Sequence, residues 1–280
     1  MGQNSMAERT VKKHINEMAQ SLLDILEADD GRTFEEKKAE AIKLLSKEKK
    51  SMMSMKEKSD TEEKNELVTK FWSHGEIRVA SNEIILRRVK ECDKEKFIDL
   101  QKENALMPAM FNKESFTDYL WEEHTKDTAL MCSIILNAEY VGYCGIKNVA
   151  HDKWEISIEL LKSWMHRGIG YASIRMMLDE IKNRLGVTEY RIRIDSDNYA
   201  SQGLFEKLGV VPNGISELLL HGEEIEKWEE ENLHLINDKL IAVAEKFYVE
   251  PRELLSHVLE YELVWEGRNN EKCTGIFKGN

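Results

Sequence analysis

The stretch His166-Arg167-Gly168-Ile169-Gly170-Tyr171-Ala172 decides how the rest of the chain is read. It follows an apolar, strand-like run and opens a helix. Two glycines bare the backbone, and a helix N-terminus offers unpaired N–H groups at the positive end of its dipole, so the segment suits an anionic phosphate group. Such turns also occur simply to let a helix pack closely on a strand. The flanking elements must decide between the two.

Just upstream, Glu155-Ile156-Ser157-Ile158-Glu159-Leu160 alternates strictly, which predicts a half-buried strand with Glu155, Ser157 and Glu159 on one face. Downstream, Ile174, Met177, Leu178, Ile181 and Leu185 recur at helical spacing, and Tyr190-Arg191-Ile192-Arg193-Ile194 reads as the next strand. Asn198-Tyr199-Ala200-Ser201 then caps a short helix bearing Leu204, Phe205 and Leu208, which Gly209 stops. Further out, residues 129–136 and 140–149 form a hairpin about Asn137-Ala138-Glu139, and residues 83–89 form a first strand. A helix with Phe97, Ile98 and Leu100 follows, broken by Met107-Pro108-Ala109-Met110-Phe111, and a short one around Phe116, Tyr119 and Leu120. After Val210-Val211 and residues 216–220, one long amphipathic helix is expected from Ile225 to Phe247, stopped by Val249-Glu250-Pro251. The run 257–265 closes the domain.

Residues 1–75 read as a charged helical extension: an amphipathic helix over 8–26, then two helices opened by capping boxes at Thr33-Phe34-Glu35-Glu36 and Ser59-Asp60-Thr61-Glu62. The domain itself is placed at 82–266, with a helical insertion at about 223–248 and a tail at 267–280. The extension is read as a packing or oligomerisation arm, so that it or the insertion could carry a homodimer contact.

The chain has 280 residues, 41% hydrophobic, with a formal net charge of -12. That suffices for one large domain with an appendage. The acidic balance argues against nucleic acid as a partner and suits cationic, amine-bearing substrates. Cys92, Cys132, Cys144 and Cys273 form no C-x-x-C pair and the eight histidines show no ligand spacing, so neither a metal site nor a disulfide framework is indicated. A start without a secretory pattern, and no membrane-length apolar run, point to a soluble, cytoplasmic protein with no membrane partner.

The order of elements and three local blocks resemble the GNAT N-acetyltransferases over roughly residues 83–265. Arg167-Gly168-Ile169-Gly170-Tyr171-Ala172 fits that family's loop of Arg or Gln, two residues, Gly, one residue, then Gly or Ala. The strand 155–161 matches the one that splays from its neighbour. Asn198-Tyr199-Ala200-Ser201-Gln202-Gly203-Leu204-Phe205-Glu206-Lys207-Leu208-Gly209 resembles the Asn-x-x-Ser block of the branch that acetylates ribosomal-protein N-termini and related amines. The resemblance implies an α/β (α+β) fold with a mixed, mostly antiparallel sheet flanked by helices. It also implies acetyl-CoA as acetyl donor and an amine as acceptor.

On that resemblance the pyrophosphate is held by His166, Arg167, Gly168, Ile169, Gly170, Tyr171 and Ala172. The pantetheine arm runs along Leu160, Leu161 and Lys162, with Asn198, Ser201 and Phe205 beside it. The missing third glycine, Ser173, disfavours a dinucleotide, and no Gly-Lys-Ser/Thr marks a nucleotide P-loop. Acetyl transfer needs a proton acceptor for the amine, an oxyanion site and a proton for the thiolate. The resemblance assigns the first to Glu155, with Glu159 facing the same way, and the second to a backbone N–H near Leu160 or Leu161. Many members use a Tyr as the acid where this chain has Phe205, which leaves Ser201 or Tyr199. That absence keeps open an alternative reading as an acetyl-CoA-binding regulatory module.

Overall fold

The computed structural model describes residues 66–78, 83–105, 107–217 and 221–267, together with 25, 33, 36, 37, 40 and 43. The chain divides into two units, Met1–Glu63 and Lys64–Asn280. In the first, Thr33 and Glu36 form the reciprocal bonds of the expected capping box: the Glu36 N–H donates to Thr33 Oγ1 at 3.3 Å and the Thr33 N–H to the Glu36 carboxylate at 2.8 Å. Apart from Ile25, which is helical, the 8–26 helix lies outside the described residues, as do the second box and the 267–280 tail beyond Gly267.

The second unit is an eight-stranded sheet in the order β1-β2-β3-β4-β5-β6-β8-β7. Its strands are β1 (Ile77–Arg78), β2 (Ile85–Arg88), β3 (Leu130–Leu136), β4 (Glu139–Ile146), β5 (Trp154–Leu160), β6 (Glu189–Asp195), β7 (Val211–Glu217) and β8 (His257–Val264). Its helices are α1 (Lys94–Asn104), α2 (Glu114–Thr125), α3 (Ile169–Leu185), α4 (Tyr199–Leu208), α5 (Glu223–Asn232) and α6 (Asp238–Phe247). Every pairing is antiparallel except β5 with β6, which α3 joins as the crossover. The fold is thus the expected mixed α/β arrangement.

Each sheet face has its own core. Ile84, Leu86, Ile134, Ile156, Ile192 and Tyr261 pack with α3, α4 and α6 on one side, whereas Met131 and Tyr143 pack with Phe97, Leu100 and Trp121 of α1 and α2 on the other. Buried Asp93 fixes the start of α1. It accepts two bonds from Arg87 on β2, at 2.6 and 2.7 Å, and one from the Ser133 hydroxyl on β3 at 2.7 Å.

The hairpin turn is as expected, with Asn137 and Ala138 both left-handed (φ 52 and 65). Two expectations change. Val68, Phe71 and Ile77 are buried in the main core, so the packed unit begins upstream of residue 82. The single long helix is two: α5 ends in a short 3-10 turn (Leu233–Leu235), and α6 starts afresh because the Asn237 side chain caps the N–H groups of Lys239 and Leu240. β7 occupies Val211–Glu217. Its Pro212 is tolerated because the strand lies at the sheet edge with a bulge between Pro212 and Ile215. No described helix is long and apolar enough to cross a membrane.

Candidate active site

β5 and β6 pair only at Trp154↔Tyr190 and Glu155↔Arg191 and then part. On its other edge β5 stays paired with β4 as far as Leu160. The Lys147 N–H donates to the Glu155 carbonyl at 3.2 Å and the Leu161 N–H to the Val141 carbonyl at 3.0 Å, which sets the odd-numbered residues of β5 as those bonded to β4. By alternation, the backbone groups of Ile158 and Leu160 face the opening, beyond the last β5–β6 pair. This separates the two oxyanion candidates: Leu161 has its N–H engaged, and Leu160 presents its own to the split.

Gly142 makes the close approach of the strands possible. A Cβ there would come within 2.2 Å of the Glu159 carbonyl oxygen. A glycine inside a strand signals such contacts.

Both helices that follow the parted strands begin at the split end, but they begin differently. In α4 the Asn198 side chain accepts from the Ser201 N–H at 3.1 Å, so its terminus is capped. In α3 the cap residue is Gly168, left-handed at φ 76, with no side-chain bond, and the first helical bond runs from the Ala172 N–H to the Gly168 carbonyl. The N–H groups of Ile169, Gly170 and Tyr171 precede that bond and are left for an anion. His166 and Arg167 are exposed beside them, with the Arg167 guanidinium 5.0 Å from the Trp164 ring centre. Lys162 is committed elsewhere, its ammonium donating to the Glu103 carbonyl at 2.7 Å.

The two glycines divide the work. Gly168 makes the turn, whereas a Cβ on Gly170 would lie 2.9 Å from Leu204 Cδ1 and 3.2 Å from Ile158 Cδ1, so Gly170 lets α3 pack on β5 and α4. Tyr171 and Ala172, half-buried, continue the first turn.

The two glutamates on the shared face of β5 sit in opposite environments. Glu155 is buried and receives bonds from Lys147 at 2.8 Å, Arg193 at 2.9 Å and Arg191 at 3.3 Å. Burial pushes its pKa up, but Lys147 and Arg193 prevail and hold it below the ordinary 4.5. Glu159 is half-buried beside Tyr143 and takes a bond from Gln101 of α1. Burial dominates there, and its pKa rises to about 7 despite that bond, Tyr143 and Lys147. Glu155 is therefore an anchored anion, and Glu159 a carboxyl able to exchange a proton near neutrality.

Of the acid candidates, Tyr199 is exposed with the Lys239 ammonium 5.3 Å from its ring centre. Ser201 is half-buried in the first turn of α4. Phe205, expected beside the cofactor, is buried in the main core. Gln101, Glu103, Asn104 and Tyr143 also stand at the site without having been singled out in the sequence. They come from α1 and β4, and no local motif marks a polar residue that meets β5 only after folding.

Residues 83–211 match the family model described as an acetyltransferase (GNAT) domain. No curated protein matches the chain. Among solved structures, the chain is similar to RimL, a ribosomal L7/L12 alpha-N-protein acetyltransferase in complex with coenzyme A, at 14% identity over 69% of this chain and 99% of that one, with a TM-score of 0.48. For Mycobacterium smegmatis RimJ in complex with CoA-disulfide the values are 16%, 68%, 86% and 0.45. For a spermidine N-acetyltransferase SpeG chimera from Vibrio cholerae they are 15%, 65%, 96% and 0.46.

Proposed function

We propose, from the match of residues 83–211 to the family model described as an acetyltransferase (GNAT) domain, that the chain moves an acetyl group from acetyl-CoA directly to a primary amine. The observation that carries this reading is the split between β5 and β6, which ends at the uncapped N-terminus of α3.

The residues present fit the donor. The free N–H groups of Ile169, Gly170 and Tyr171, with Arg167 and His166 alongside, suit its pyrophosphate. The exposed backbone edge of Ile158 and Leu160 suits the amides of its pantetheine arm, as one strand pairs with another. Bound acetyl-CoA supplies the acetyl thioester. The Leu160 N–H is the backbone donor available for the thioester oxygen, where negative charge develops.

An amine attacks only when neutral, and Glu159, titrating at about 7, is matched to take its proton at physiological pH. Glu155 is assigned the support of β5 and β6 rather than proton transfer, because three cations hold its charge. Ser201 is assigned the return of a proton to the departing thiolate, since its backbone N–H, and not its hydroxyl, serves the helix cap.

A thiol-release assay with acetyl-CoA over panels of amines and peptides tests the proposal. Turnover that Glu159→Gln lowers about 10²–10⁴-fold is the expected result. The buried Phe205, in place of a hydroxyl, favours one second reading, an acetyl-CoA-binding regulatory module. Tight acetyl-CoA binding without turnover on any acceptor would establish that reading instead.

A further inference from the structure

The last turn of α1 holds the end of β5 at three successive stations. Gln101 Nε2 donates to the Glu159 carboxylate and also lies 3.4 Å from the Tyr143 hydroxyl. Asn104 Nδ2 donates to the Leu160 carbonyl at 3.4 Å. Glu103 accepts from the Lys162 N–H at 3.1 Å and, through its own carbonyl, from the Lys162 ammonium at 2.7 Å. These are the carboxyl, the oxyanion-site residue and the second residue of the loop leading to α3. We infer that Gln101 is a positioning residue for the transfer reaction: it fixes the Glu159 carboxylate against β4 and β5 and governs its protonation, while Glu103 and Asn104 keep that turn in register with the strand.

The argument is geometric. A carboxylate in a half-buried site can rotate or turn away unless donors hold it, and α1 brings only a neutral amide to it. The titratable groups facing Glu159 come from β4 and the residue after it: Tyr143, whose hydroxyl also bonds the carboxylate, Tyr140 further along, and Lys147 just beyond the strand. Both tyrosines are shifted upward by burial, so neither ionises in the working range. Gln101 is thus the one neighbour on α1 that sets the balance between the charged and uncharged carboxyl, by donating to the charged form. Lys at this position would lock Glu159 as an anion, as Lys147 and Arg193 lock Glu155. A neutral donor holds it without removing its capacity to exchange a proton.

The inference rests on Glu159 being the proton acceptor only for its catalytic half, and the test separates the two. The Glu159 carboxyl is titrated by carbon NMR in the full-length protein, without acceptor or acetyl-CoA, in wild type, in Gln101→Met and in Gln101→Asn. The first variant removes the donor at nearly constant volume. The second keeps an amide and withdraws it by one methylene. Loss of a hydrogen bond to a charged group raises the titration midpoint by about one pH unit. The acidic limb of kcat/KM is then displaced upward by the same amount, with the plateau at high pH little changed. A folded variant whose Glu159 titration coincides with wild type overturns the inference. A moved titration with an unmoved kinetic limb shows that Gln101 governs the carboxyl but overturns its role in the transfer, and removes Glu159 from catalysis. If Gln101→Met does not fold, Gln101→Asn decides alone.

Discussion

Glu159→Gln is expected to make the protein more stable above neutral pH while sharply lowering its activity. The Glu159 pKa rises from the ordinary 4.5 to about 7 in the folded protein. Between those values the native state binds a proton that the unfolded state has released, so stability falls as pH rises from 4.5 through 7. The full difference of about 2.5 units corresponds to about 3 kcal/mol, an upper bound, because the carboxyl is only half-buried. Gln keeps an oxygen to accept from Gln101 and carries no charge to desolvate. Urea denaturation at pH 5 should then give nearly equal stabilities for wild type and variant, and at pH 8 a variant more stable by about 2 kcal/mol. A variant less stable than wild type at pH 8 would refute the account of Glu159 as a strained, functional carboxyl.

Glu155→Gln should have the opposite sign, costing about 2 kcal/mol at pH 7, discounted from a fully buried pair because Lys147 is half exposed. Its pKa is depressed, so wild type keeps this contribution above 4.5 and loses it as pH falls through the lower folded value, and thermal melts from pH 7 downward should show the gap closing. His124, buried and stacked on Phe97 at 4.1 Å, has its pKa lowered by burial to about 4. Stability is therefore complete above 6.5 and declines on acidification toward 4, by up to about 3 kcal/mol, and His124→Phe should flatten the melting temperature over that window. Gly170→Leu should lower stability by about 1–3 kcal/mol along with acetyl-CoA affinity, measured by denaturation and calorimetry, because it overpacks against Leu204 and Ile158. Lost affinity at unchanged stability would return Gly170 to a purely ligand-facing role.

The fold was legible where one element announces itself locally. The alternation of 155–160, the glycine loop and the Asn198 cap each carry their own physical signal, and together they placed the parted strands and both helix starts. The site was legible only in part. The sequence puts Glu155 and Glu159 on one face but contains nothing to tell them apart, since that depends on Lys147, Arg191 and Arg193 gathering at one end and Gln101 with Tyr143 at the other. Gly168 and Gly170 look equivalent in the motif and differ only once Leu204 arrives from α4. The break between α5 and α6 was hidden because apolar spacing continues across it, and Asn237 acts as a cap only where the backbone has already left the helix.

The central claim is that Glu159 accepts the amine's proton, and the pH dependence of kcat/KM tests it most directly. With the acceptor's own ionisation taken into account, wild type should show an acidic limb with a midpoint at about 7, the value of the free enzyme's carboxyl. That limb should be absent from the residual activity of Glu159→Gln and retained in Glu155→Gln. A limb that survives in Glu159→Gln, or disappears in Glu155→Gln instead, would contradict the assignment.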